Sequence, residues 1–225
     1  MKKLKTALRQ LIKTMGYEVR KIHHLGFDDA IAYNKDSSVG QFYSDPKLVQ
    51  HYIDTEVKAQ ISNVTNWLDA NKIDLTNKKI LDAGCGTGHC LAFLGKTYLS
   101  AQLFGTEYTP ASLALAQQLN ENAKIRLLSI YDNWDGQTFD AILCQLVLEH
   151  LEYPETAVAT LWAMLNENGF LYLAVPDGRQ DYFAGHIHFW SKESLGLWLQ
   201  KQFPNQNVQV GMLADGVTLF AYLRK

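Results

Sequence analysis

From residue 79 onward, short apolar runs of strand length alternate with longer helix-patterned stretches, and that alternation constrains the fold more than any other feature. "KILDAG" reads as a strand, "GHCLAFLGKTY" as a short helix and "AQLFGTE" as a second strand. "TPASLALAQQLNEN" follows as a helix with Thr109 as cap and Pro110 in its first turn. "KIRLLSI" and "FDAILCQLV" supply the third and fourth strands. "PETAVATLWAMLNENG" is a helix with its C-terminal cap at Asn168-Gly169, and "GFLYLAVPD" is the fifth strand. "SKESLGLWLQKQF" is a further helix, capped by Ser191. Strands joined through helices run parallel, because the crossover returns the chain to the same edge. The alternation breaks only in "VQVGMLADGVTLFAYLRK", where two β-rich runs flank Asp215-Gly216, a hairpin signal. The expected fold class is α/β: a Rossmann-like, doubly wound, mostly parallel seven-stranded sheet with a C-terminal antiparallel β-hairpin and an N-terminal helical segment.

The chain divides into residues 1–44 and 45–225. Residues 2–17 carry Leu4, Leu8, Leu11, Ile12 and Met15 at helical spacing among Lys and Arg, an amphipathic helix. It packs on its own domain or a partner, or makes peripheral contact with an anionic membrane surface. Residues 23–44 read as polar and irregular, with "NKDSSVG" as a loop. A helix then opens at "SDPKLVQHYIDTEVKAQISNVTNWLDAN", capped by Ser44 or Asp45. Residues 1–44 are expected to form a lid or a substrate-side segment, with Tyr33 and Tyr43 as candidate wall residues.

Twenty-one Lys and Arg against 23 Asp and Glu give a net charge of −2, which argues against a dedicated nucleic-acid binder. Cys85, Cys90 and Cys144 form no metal-type or redox pair and read as small buried residues of a reducing compartment. No apolar run reaches membrane-spanning length, and the basic N-terminus lacks the apolar stretch of a secretory signal, so the expected location is cytoplasmic.

The turn after the first strand, "KKILDAGCGTGHC", has Asp82 followed by Gly84, Gly86 and Gly88. Turns at that place in a doubly wound sheet touch the ligand. A dinucleotide fingerprint starting at Gly84 requires a third glycine where His89 stands, and no Gly-Lys-Ser/Thr follows. An acid at the base of the turn suits a ligand with positive charge better than a pyrophosphate.

Four segments in order, "LDAGCGTG", "FGTEYTPASLALAQ", "FDAILCQLVLEHLEYPE" and "LNENGFLYLAVPD", resemble the motifs of the class I S-adenosylmethionine-dependent methyltransferases. The resemblance covers about residues 45–225, and "LEHL…P" is similar to the branch of ubiquinone-type O-methyltransferases and of glycan and natural-product methyltransferases. It implies S-adenosylmethionine as cofactor. Asp82 then attracts the ammonium, and the backbone of Gly84, Cys85, Gly86 and Gly88 carries the methionine end. Glu107 accepts both ribose hydroxyls, with Tyr108 packed beside it. Gln145, at the end of the fourth strand, belongs to the same set of implied contacts. The acid the family places after strand three is missing from "LLSIYDNW", so the adenine contact falls to the backbone at Ile130 and Tyr131.

For the acceptor side, the nitrogen-methylation and cytosine-methylation signatures are absent, which leaves histidine. His150 stands in "LEHL", and His186 and His188 in "GHIHFWS", where alternation places both rings on one side of an extended chain. Imidazole suits a general base, and His186 is the favoured one, with Tyr182 as an assistant. The pair His186 and His188 lacks a third ligand nearby, so no metal is expected. The reading is a methyltransferase acting on a small molecule, with a tRNA or protein methyltransferase and a non-catalytic S-adenosylmethionine-binding protein as alternatives.

Overall fold

The computed structural model describes residues 32–225. Strand β1 (Lys79–Ala83) lies in the middle of the sheet because both its faces are apolar. Ile80 joins a core formed with Val64, Trp67 and Leu68, while Leu81 joins the opposite one with Phe104 and Ile142. A strand buried on both faces is the signature of a parallel sheet covered by helices.

Helix α1 (Asp36–Tyr43) leads into α2 (Pro46–Tyr52), a five-residue π-helical segment (Ile53–Val57) and α3 (Lys58–Ala70). The remaining elements follow as α4 (His89–Thr97), β2 (Gln102–Glu107), α5 (Pro110–Leu119), β3 (Lys124–Leu127) and β4 (Phe139–Gln145). A short 3₁₀ turn (Leu148–His150) precedes α6 (Pro154–Ala163), β5 (Leu165–Pro176), α7 (Lys192–Gln202), β6 (Gln209–Met212) and β7 (Thr218–Arg224). The strand order is β3-β2-β1-β4-β5-β7-β6, with β1 to β5 parallel and β7 antiparallel to both its neighbours. Chain direction across the sheet reverses between β1 and β4, which opens a crevice at their carboxyl ends. Helices α3 and α4 cover one face, α6 and α7 the other.

The expected fold class is the observed one, hairpin included. Asp215 holds that hairpin by accepting from the backbone N–H of Val217 and of Thr218 at 3.0 Å each. Asp45, not Ser44, caps α2, accepting from Lys47 and Leu48.

Two boundaries differ from expectation. Residues 36–43, read as loop, form α1. The helix carries no side-chain cap, and its end packs by tertiary contact: Phe42, Tyr43 and Tyr52 form an aromatic cluster with ring centroids 5.2–6.4 Å apart. Packing overrides a weak local preference here. The helix expected through Asn168 stops at Ala163, and Leu165–Asn168 enter β5. The chain end captures them: Asn168 N–H donates to Lys225 O at 3.0 Å, and Lys225 N–H to Gly169 O at 2.9 Å. The amphipathic helix expected at residues 2–17 lies outside the described residues.

Candidate active site

The loops at the carboxyl ends of the parallel strands enclose one cavity of about 1000 Å³. Its two sides are built differently.

The first side grows from β1 and β2. Gly88 ends the glycine turn with φ +76° and opens α4; a Cβ there would lie 2.9 Å from Ala116 Cα, so the helix can start this close to α5 only without a side chain. Gly84, at φ +75°, has Val147 Cγ2 where a Cβ would point, 2.6 Å away. Gly86 N–H donates to Glu107 Oε2 at 2.9 Å. Glu107 Oε1 accepts from Tyr108 N–H and Thr109 N–H at 2.9 and 3.0 Å. Burial still pushes the Glu107 carboxyl up, against the pull of these N–H groups. Asp82 is buried at the base of the turn, and desolvation, helped by the charge of Glu107, lifts its carboxyl to about 7. Cys85 is buried on the cavity wall, and burial raises its thiol well above the usual range, which makes it a wall and not a nucleophile. Gln145 lines the same wall and donates to Cys90 Sγ at 3.3 Å. Ile130 and Tyr131 reach the cavity from the end of β3, and Tyr108 lines it with its hydroxyl donating to Asn34 O at 3.1 Å.

This donor set fits S-adenosylmethionine. A carboxylate at the end of β2 can accept ribose hydroxyls, a second buried carboxylate suits an ammonium, and the turn between them offers backbone with no side chain in the way. A pyrophosphate would meet two buried acids.

The second side grows from β4 and β5. The 3₁₀ turn presents Glu149 and His150, and the loop after β5 is pinned to it. Ile187 N–H and His188 N–H both donate to Glu149 O, at 2.7 and 3.1 Å. That clamp sets His186 beside His150, with ring centroids 4.5 Å apart. Asp181 Oδ2 accepts from His186 Nδ1, and His186 Nε2 stands 4.0 Å from Glu149 Oε1. His150 Nδ1 donates to Asn34 Oδ1 at 2.9 Å, and the Asn34 amide is oriented by its Nδ2 donating to Gly185 O at 2.7 Å. Burial, then the neighbouring His186, hold the His150 imidazole down at about 4, so it is neutral near pH 7. Burial pushes the Glu149 carboxyl up to about 8.

The structure brings His150 and His186 together and sets His188 apart. The loop is not extended, so alternation fails: His188 turns away from the cavity, donates from Nε2 to Leu151 O at 2.8 Å and stacks on Trp190 at 5.1 Å. Tyr182 is exposed, with its hydroxyl 3.4 Å from Arg179 O. Asn34, Glu149 and Asp181 were not singled out from sequence. Asp181, five residues before His186, was within reach of a local reading; Asn34 and Glu149 join the site through contacts across the chain.

Residues 81–173 match a family model described as a methyltransferase domain. The chain is 31% identical over 108 residues to a trans-aconitate 2-methyltransferase of Delftia acidovorans, covering 46% of this chain and 40% of that protein. It is 29% identical over 118 residues to a ubiquinone biosynthesis O-methyltransferase of Pseudomonas putida, covering 48% of each. The chain spans between about a quarter and a half of the curated relatives it matches. Among solved structures it resembles the plantazolicin methyltransferase BpumL, in complex with a desmethyl analogue and SAH, at TM-score 0.66 and 18% identity over 88% of this chain and 98% of that one.

Proposed function

We propose that the chain is a class I S-adenosylmethionine-dependent methyltransferase, as the methyltransferase-domain match over residues 81–173 supports, and that it transfers a methyl group to a hydroxyl oxygen of a small-molecule acceptor. The observation that carries this reading is the single cavity with two unlike walls: a glycine turn between Asp82 and Glu107 on one side, His150 and His186 on the other. The acceptor classes that suit it are a sugar or glycan precursor, a quinone-type phenol or a specialised metabolite. Similarity to a ubiquinone biosynthesis O-methyltransferase supports the oxygen assignment.

Asp82, the glycine turn and Glu107 would hold S-adenosylmethionine, which would supply an electrophilic methyl; transfer to the acceptor oxygen would break the carbon–sulfur bond, the bonding pair returning to sulfur as a neutral thioether. The hydroxyl proton passes to His186 Nε2, whose Nδ1 is held by Asp181. Phe183 lines the cavity 4.9 Å from the His186 ring and covers one side of that ring. The rest of the rate comes from holding oxygen and methyl in line.

The segment before α2 serves as the acceptor-side strap of this cavity: Asn34 joins His150 to Gly185, Tyr33 meets Phe183 edge-on at 5.3 Å, and Tyr43 lines the wall. Among the described residues no helix is long and apolar enough to cross a membrane.

The test is calorimetric and chemical. S-adenosylhomocysteine should bind one per chain and NAD should not. Labelled methyl from S-adenosylmethionine should then appear as an ether or ester on a member of a phenol and sugar panel. Binding of NAD in preference to S-adenosylhomocysteine sinks the reading.

A further inference from the structure

Glu149 is fully buried, and neither of its carboxylate oxygens has a hydrogen-bond partner among the described residues. Buried polar atoms are nearly always satisfied, and an orphaned pair on one carboxylate calls for an occupant. Three other described side chains, Trp67, Thr109 and Tyr172, have a buried polar atom without a hydrogen-bond partner, but only Glu149 leaves two, and only Glu149 lines the cavity.

Its neighbours say what the occupant is. One ligand atom from each of Glu149, His150 and His186 lies within 4.8 Å of the other two. The rings are already set for ligation. Each engages its Nδ1 with an oxygen: His186 with Asp181 and His150 with Asn34. In the neutral rings this places the lone pair on Nε2. A carboxylate or carbonyl behind a histidine is the outer-shell arrangement that fixes tautomer and ring direction at metal sites. The clamp from Ile187 and His188 N–H to Glu149 O locks the two contributing loops in register.

We propose that Glu149, His150 and His186 form a binding site for a divalent first-row transition-metal ion, open on the cavity side to the acceptor oxygen. Two imidazoles and one carboxylate with no thiolate suit Zn²⁺, Fe²⁺ or Mn²⁺ rather than Mg²⁺ or Ca²⁺, which take oxygen sets. Three protein ligands leave positions for a substrate atom, as in catalytic and not structural sites. The inference rests on the reading of this wall as the acceptor side, and it changes the part of His186. A ring that ligates through Nε2 cannot take the proton; a metal-bound hydroxyl loses its proton to water more readily instead. It also favours an acceptor with a hydroxyl and a neighbouring oxygen able to share the ion.

The experiment is titration of Zn²⁺ into the full chain after chelator treatment, followed by calorimetry, with Mn²⁺ binding followed by electron paramagnetic resonance. One ion per chain should bind. Glu149→Gln and His186→Asn should each weaken it at least tenfold, the usual scale or more for a lost ligand or its support. Binding of S-adenosylhomocysteine to each variant is measured alongside. If it stays within threefold of the parent, the fold is intact and loss of zinc is specific. If the parent binds no stoichiometric ion, or if both variants bind as the parent does, the site is overturned while the methyltransferase reading stands. If the parent takes up the ion but not S-adenosylhomocysteine, the metal site stands and the cofactor assignment falls.

Discussion

The two walls of the cavity are made of different material. The proposed cofactor wall is mostly backbone: a turn between β1 and α4, and the Glu107 carboxylate, whose three N–H donors are Gly86, Tyr108 and Thr109. The proposed acceptor wall is side chain and long-range: His150 is held by Asn34, 116 positions away, and Glu149 anchors the backbone of Ile187 and His188. A backbone wall can be shared by many chemistries because it reads a common cofactor. A side-chain wall is where one chemistry is chosen, and here it is also where a buried carboxylate has no hydrogen-bond partner among the described residues.

Substitutions should separate the walls by kind of effect. The largest concerns His186. His186→Ala should lower kcat by about 10²- to 10⁴-fold, whether the ring is a base or a ligand, while affinity for S-adenosylhomocysteine stays within about threefold. Stopped assays with labelled cofactor measure the first and calorimetry the second. A variant that loses cofactor affinity instead would show that the walls are not separable.

Glu107→Ala should do the reverse, costing about 1.5–3 kcal/mol of cofactor affinity, the range for hydrogen bonds to a charged group. An unchanged dissociation constant would remove Glu107 from the cofactor wall.

Next in size is a pH effect carried by Asp82. Its folded carboxyl sits at about 7, above the unfolded value of about 3.9. Between those values the unfolded chain has released a proton that the folded one keeps, so stability of the free protein falls as pH rises from about 4 to 7. A bound ammonium favours the carboxylate and takes back that loss. Affinity for S-adenosylhomocysteine should therefore rise with pH, at most about tenfold per unit, and level off above 7. Asp82→Asn should flatten that slope, and a slope that survives the substitution would assign it to another group.

The smallest effect belongs to His188. His188→Gln should change kcat less than threefold and cost about 0.5–1.5 kcal/mol of stability through the bond to Leu151 O. A loss of kcat comparable with that of His186→Ala would put His188 back on the acceptor wall.

The parallel sheet, the terminal hairpin and the glycine turn with its flanking acids were legible in the order of residues. Asp82, the three glycines and Glu107 act through neighbours along the chain or through the ends of adjacent strands. Periodicity and turn chemistry encode those local relations directly. The boundaries misread were those where distant packing intervened: the aromatic cluster that makes 36–43 helical, and the pairing with Lys225 that draws Leu165–Asn168 into β5.

By itself, then, the sequence determined the α/β layering and the place and charge of the glycine turn, because strand and helix periods and glycine spacing are properties of contiguous residues. Tertiary structure alone decided which histidine faces the cavity. His186 and His188 are two positions apart and equivalent in any local reading; the clamp onto Glu149 O and the stack on Trp190 separate them. It also decided that Glu149 would be buried beside two imidazoles, since the 3₁₀ turn after β4 meets the loop after β5 only when those strands pair. The physical reason is the same in both cases: a side chain's partner across the sheet is set by register and loop docking, which no spacing along the chain records.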